Sequence, residues 1–290
     1  MSPCPLDEAV GPAVADLLAR HVPRPDALLF LSTGVGMLPA RLTDVMRVPL
    51  GKVKGVPDVW RDTLLYSGKL GKTPVWMIEN APGAPEHGAH EPHGEPAWVR
   101  GYPCWLAAAA GAPVCLYSVA GMALQRDGKK PIKPGSLALL SDHINLSGRT
   151  PLVGLGESKL GPLFPDQSGL HLGSLRKDAL KLGKKLGVPV VEAIGACTIG
   201  PAIETAAERA FWSRTGADVA AQAMATPLLA CAHSGLAVLA VVCVTDSGEG
   251  LADVGGIVMR AEEIAPALED LIVSLAPALQ RAANELGIEE

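Results

Sequence analysis

Apolar and polar positions alternate along the chain in two distinct periods. Between Leu6 and His21 the apolar residues recur at helical spacing and the run stops before Pro23 and Pro25, which predicts a helix. Ala27 to Ser32 then reads as a short buried strand. Further strands are predicted at Pro74 to Ile78, Val114 to Val119, Ser136 to Leu140, Val188 to Ile194 and Ala237 to Thr245, each an apolar run bounded by Gly, Pro or polar residues. Leu175 to Leu186, Thr205 to Thr215 and Ala261 to Leu286 carry charge on one face and Leu, Ile or Ala on the other, the pattern of amphipathic helices. Pro266 and Pro277 are expected to kink or divide the last of them. Ala81 to Pro96, rich in Pro, Gly, His and Glu, has no apolar period and reads as a loop. Alternating strands and helices predict an α/β fold whose sheet is largely covered.

Composition narrows the partners more than the fold. With 290 residues, 48% hydrophobic and 19% charged, the chain can bury a large core, and 32 Gly with 25 Pro imply many short turns. A net charge of -5 provides no basic footprint, so nucleic acid is not an expected partner. The six cysteines form no CxxC pair and several lie in apolar runs, where thiols act as small hydrophobes in a reducing compartment. Without a signal-like N-terminus or an apolar run of bilayer length, the expected location is cytoplasmic, with no membrane partner.

Three segments are placed where α/β proteins put chemistry. Ser32-Thr33-Gly34-Val35-Gly36 follows a strand directly, so its glycines can turn backbone N–H groups toward an anion; the same pattern also serves as a plain turn. Gly200-Pro201-Ala202-Ile203-Glu204-Thr205 runs into a helix, where Glu204 reads either as a capping residue or as a site carboxylate. Thr245-Asp246-Ser247-Gly248 ends a buried strand, a position open sheets use for ligands, although Asp is also a turn former there.

These segments occur together with Gly101-Tyr102-Pro103, Val119-Ala120-Gly121 and Asp142-His143-Ile144-Asn145-Leu146, and with Gly216-Ala217-Asp218 running in register to Ser234-Gly235-Leu236. In that order and spacing the chain resembles the trimeric purine nucleoside phosphorylases and their methylthioadenosine phosphorylase relatives, from about Ala27 onward. The resemblance implies a single domain over residues 1–290 with a central mixed β-sheet flanked by helices, the nucleoside phosphorylase fold, assembled as a homotrimer. It implies a purine nucleoside as substrate and inorganic phosphate as co-substrate, with no other cofactor and no metal. Phosphate attacks the anomeric carbon, and the purine leaves with help from a proton or hydrogen bond.

Carried over position by position, the resemblance implies that Glu204 hydrogen-bonds the purine and that Thr245 and Asp246 face N7 and the six-position, making Asp246 and Glu204 the catalytic pair. Oxopurine-selective members have Asn at the Asp246 position. An ionised Asp accepts from a 6-amino group and repels a 6-oxo group, so Asp246 points to 6-aminopurine or broad specificity. Ile203 stands where those enzymes usually have Phe. Thr33 and the backbone at Val119 match phosphate contacts, while Gln222 and Leu160 match ribose contacts, the latter reaching a neighbouring subunit's site. Departures fall on the phosphate side: Ala223 replaces a serine, Ala261 replaces a histidine with Arg260 beside it, and the loop from Ala81 to Arg100 replaces an Arg and a His. Within it His87, His90 and His93 read as a metal site, as a phosphate-side histidine or as solvated loop. Two rival readings follow: a nucleosidase using water, with a loop His or Glu79 as base, and a non-catalytic purine-binding member.

Overall fold

In the computed structural model, residues 4–31, 36–80, 96–126, 128–250 and 253–287 are described. All five residues of strand β1 (Ala27–Leu31) are buried, because β1 lies parallel between β4 (Thr73–Glu79) and β5 (Val114–Ala123) with both faces covered. A strand in that position must read as a continuous apolar run rather than alternate.

The remaining elements in chain order are α1 (Pro5–Ala19), β2 (Thr43–Pro49), β3 (Leu64–Leu70), α2 (Tyr102–Ala109), β6 (Leu137–Asn145), α3 (Gly173–Leu186), β7 (Val190–Thr198), α4 (Ala206–Arg214), β8 (Val219–Gln222), α5 (Ala225–Ser234), β9 (Ala237–Asp246) and α6 (Val254–Leu286). The nine strands form one mixed sheet in the order β2-β3-β4-β1-β5-β8-β7-β6-β9, and β5 also pairs with β9. That second pairing closes β5, β8, β7, β6 and β9 into a ring, with β4 and β1 extending from it and the β2–β3 hairpin at the open edge. Closure leaves no free edge in the ring and ties its strand ends in fixed register.

Two apolar layers cover the sheet. One, containing Leu6, Trp60, Trp105 and Leu228, joins α1, α2 and α5 to one face, and the other, containing Leu175, Leu271 and Leu275, joins α3 and α6 to the opposite face. The expected strands and helices are all present, with some ends shifted by a few residues. β6 continues past Leu140 through Ser141-Asp142-His143, carried by its parallel pairing with β7, which slips register between Leu140 and Asp142. Strands β2, β3 and β8 were not foreseen: β2 is mostly exposed, β3 carries Ser67, Gly68 and Lys69, and β8 is four residues long. None of them shows enough alternation to be read alone.

Of the two outcomes expected at Pro266 and Pro277, a kink or a division, division does not occur, since α6 runs unbroken for 33 residues with both prolines inside. An internal proline costs about 3 kcal/mol. Burial of Ile264, Leu268, Leu271, Ile272, Leu275 and Leu279 along α6, at roughly 1.5–3 kcal/mol per side chain, outweighs both.

Candidate active site

β5 and β9 run in parallel register as far as Gly121 opposite Val244, and then the register slips so that Met122 faces Asp246. The extra residue is Thr245, whose Oγ1 donates to the Gly121 carbonyl at 3.2 Å. Such a bulge bends the strand and re-aims the side chains beside it. Gly121 is required there because a Cβ would lie 2.6 Å from the Ala220 carbonyl oxygen.

Asp246 is held from two sides. Its Oδ1 accepts from the Gly248 N–H at 3.1 Å, a local turn bond, with Gly248 in the left-handed region at φ 73. Its Oδ2 lies 4.0 Å from the guanidinium of Arg209, which is only 8% exposed. Arg209 also donates to the Gly250 carbonyl at 3.4 Å, and its buried Nε has no hydrogen-bond partner among the described residues. The turn-forming reading of Asp246 holds for one oxygen, and the other faces a buried cation. Arg209 was missed in the sequence because an arginine on an amphipathic helix reads as solvated surface. Arg260 donates through Nε to the Thr245 carbonyl, tying the start of α6 to the bulge.

Glu204 is not a cap. Thr205 caps α4, accepting from the Glu208 N–H at 3.2 Å while Glu208 accepts from the Thr205 N–H at 2.7 Å, a complete capping box. Glu204 Oε1 instead accepts from Thr198 Oγ1 at 2.7 Å and from Gln222 Nε2 at 3.4 Å, and Gln222 also donates to the Ala202 carbonyl at 2.8 Å. Thr198 and Gln222 are paired across β7 and β8, so the ring's register brings Glu204, Thr198 and Gln222 together. β8 borders β5 on one side at Met122 and β9 borders it on the other, with Met122 opposite Asp246. Both carboxylates thus belong to strand ends grouped about the same stretch of β5.

The other expected residues are distributed differently. Ile203, 39% exposed, stands at the turn beside Glu204. Val119 is buried within β5 opposite Val242. Ala223, directly after Gln222, has φ 56, a left-handed conformation that costs a non-glycine residue on the order of 1–3 kcal/mol, and its carbonyl accepts from Tyr117 Oη at 3.4 Å. Leu160 bonds through its N–H to Ser158 Oγ at 3.0 Å, and Ser158 donates to Asp7 on α1 at 2.6 Å. That tether places Leu160 against its own α1 rather than beside Glu204. Thr33 and the loop histidines His87, His90 and His93 lie outside the described residues. Glu79 ends β4 opposite Leu31, and partial desolvation raises its carboxyl above the usual range. Arg100, 7% exposed in the turn before α2, is a second buried cation.

A cavity of about 760 Å³ opens behind Asp246, lined by Leu124, Arg126, Arg209, Ser213, Arg214 and Gly248 among others. Neither Glu204 nor Asp246 lines it.

Residues 104–276 match the model of the phosphorylase superfamily. The chain belongs to that superfamily. Within it, the chain is 26% identical to purine nucleoside phosphorylase 1 of Geobacillus stearothermophilus over 246 residues, covering 84% of this chain and 86% of that protein. It is 30% identical to the purine nucleoside phosphorylase of a Cellulomonas species over 255 residues, covering 83% and 82%. Its fold matches a Schistosoma purine nucleoside phosphorylase solved with hypoxanthine, at a TM-score of 0.83 and 22% identity over 94% of this chain and 98% of that one. The span matched to the phosphorylase superfamily contains Glu204, Gln222, Thr245 and Asp246, whereas Thr33 and the Ala81–Pro96 loop precede it.

Proposed function

We propose that this chain is a phosphate-dependent purine nucleoside phosphorylase acting on 6-aminopurine nucleosides or on both purine classes. The observation that carries this reading is the pairing of Asp246, set at a bulge beside Thr245 and a buried Arg209, with a Glu204 that the Thr205–Glu208 box has released from capping. In the reaction a phosphate oxygen forms a bond to the anomeric carbon as the bond from that carbon to the purine nitrogen breaks. The bonding pair leaves on the base. Asp246 would donate to or accept from the purine edge, and Glu204, aligned by Thr198 and Gln222, would hold the base in place. Thr33 and the backbone around Val119 would hold phosphate, with Ile203 packing on the base and Gln222 and a neighbouring subunit's Leu160 on the ribose.

The assembly is proposed to be a homotrimer in a reducing, cytoplasmic setting, in keeping with six free and buried cysteines. Among the described residues no helix is long and apolar enough to cross a membrane.

Two observations favour a hydrolytic reading: Ala223, at the position where a serine hydroxyl would meet phosphate, offers no donor side chain, and partial desolvation raises the Glu79 carboxyl above its usual range. Base release from adenosine, inosine and methylthioadenosine, measured with and without phosphate, separates the readings. Release that requires phosphate and yields a pentose 1-phosphate supports phosphorolysis. Equal release without phosphate establishes the nucleosidase, and no release from any nucleoside overturns both.

A further inference from the structure

The segment leading into α3 returns to the sheet at the start of β9, where His171 forms a parallel bridge with Val238. The bonds are firm: Leu172 N–H to the Val238 carbonyl at 2.9 Å and Val238 N–H to the Leu170 carbonyl at 2.8 Å. This fixes the His171 imidazole against His143 of β6, with His143 Nδ1 and His171 Nε2 3.0 Å apart and the rings edge to face. Asp142, adjacent on β6, completes the group, and one ligand atom from each of the three residues lies within 4.8 Å of the others.

Two features distinguish this cluster from a pair of packed histidines. Only one of the two facing nitrogens can carry the proton of a mutual hydrogen bond. The Gln167 side chain also reaches the His143 ring, whose Nδ1 is turned to His171. In either tautomer one of the two facing nitrogens presents a lone pair to the space between the rings, as a metal-ligating imidazole does. The second feature is His171 Nδ1, buried without a hydrogen-bond partner among the described residues. Without an ion, His171 Nδ1 is left buried and without a partner among the described residues whichever ring donates. With an ion, Nε2 becomes a ligand and the proton moves to Nδ1.

We propose that Asp142, His143 and His171 form a binding site for a zinc-type divalent transition-metal ion, with water in a fourth position. Two imidazoles and one carboxylate are the borderline donor set such ions take, in preference to calcium or magnesium. Zinc–nitrogen bonds of about 2.0–2.1 Å at a tetrahedral angle separate the two nitrogens by about 3.3 Å, a few tenths wider than the present contact. The site lies apart from the base-facing groups. Val238 precedes Asp246 by eight residues on β9, about 26 Å of strand at a rise of about 3.3 Å per residue. Its role is to staple β6 to the segment that launches α3, and phosphorolysis does not pass through it. It is also separate in sequence from the His87–His93 loop, where the histidine spacing alone had placed the metal candidates.

The test uses the full chain freed of metal by chelation, with His87, His90 and His93 changed to alanine so that the loop makes no contribution. Zinc titration by calorimetry, elemental analysis after desalting, and thermal melting with and without zinc are the measurements. One zinc per chain is expected, with a raised Tm, and cobalt substitution should give the visible absorption of a four-coordinate ion. His171→Ala should weaken binding by more than about 100-fold, beyond the 10–100-fold typical of losing an outer partner. Asp142→Asn keeps an acceptor for the His143 N–H but loses the charged ligand, so it provides the same comparison should His171→Ala not fold. Absence of stoichiometric zinc in the loop variant overturns the proposal, as does zinc binding that survives both substitutions unchanged.

Discussion

The two sides of the candidate site are built from different materials. On the base side, Glu204, Thr198, Gln222, Thr245 and Asp246 are side chains on strand ends or adjoining turns, bonded to one another or to neighbouring backbone within the closed ring. On the phosphate side, the corresponding described positions are Val119, which contributes backbone, and Ala223, a strained residue without a polar side chain. On the proposed roles, the base is read by carboxylates that the closed ring holds in fixed register. A phosphate can be met by backbone N–H groups and cations drawn from several segments.

The largest expected effect that tests this division is at Asp246. Asp246→Asn keeps the size and the turn acceptor but removes the charge, and losing one charge-assisted hydrogen bond in a desolvated site costs on the order of 2–3 kcal/mol, about a 30- to 150-fold fall in kcat/KM for adenosine. Inosine should fall less or rise, because an amide can donate to a 6-oxo group. An unchanged adenosine-to-inosine ratio, in a protein with the parent's Tm, removes Asp246 from base reading.

Arg209 comes next, as the buried cation beside Asp246. Arg209→Met should lower kcat/KM for adenosine by about 10-fold, corresponding to roughly 1.4 kcal/mol of lost orientation, and Arg209→Lys should recover part of it. A purely structural role would lower Tm in both variants and leave the adenosine-to-inosine ratio where it was.

On the other side, Ala223→Ser restores the hydroxyl that the phosphate-side position lacks. If phosphate is held there, its KM should fall by about 3- to 10-fold, the value of one ordinary hydrogen bond, with the nucleoside KM unchanged. No response would place the phosphate site away from Ala223 and make the contrast sharper than drawn here.

A last effect, on stability and not on rate, concerns the anchoring of β8. Asp218 is desolvated, which raises its pKa, but the Ile194 N–H, Lys129 and Arg126 outweigh this and hold it below the usual value. A carboxylate depressed in the folded state adds stability above the unfolded pKa of about 3.9, and that stability is lost as pH falls through the folded value. The stability difference between the parent and Asp218→Asn, about 1–2 kcal/mol by urea unfolding, should be constant above about pH 5 and shrink below about pH 4. A difference that grew on acidification would contradict the assignment.

The chain's own residues determined a good deal. Strands such as β1 and β9 declare themselves because full burial demands an unbroken apolar run, and α3 because one face is charged and the other is not. Glu204 and Asp246 were legible because each follows a strand and sits within a distinctive local motif. Other features waited on the tertiary structure, because they arise between segments distant in the chain. The continuity of α6 through two prolines depends on how much apolar surface its neighbours bury, and β8 exists because β5 and β7 are there to pair with it. That Glu204 does not cap a helix was decided by Thr205 and Glu208 taking the cap. Arg209 became a partner of Asp246, and His171 a partner of His143, only when the fold brought them together: electrostatic and hydrogen-bond energies fall off over a few ångströms, and separation along the chain carries no information about that distance.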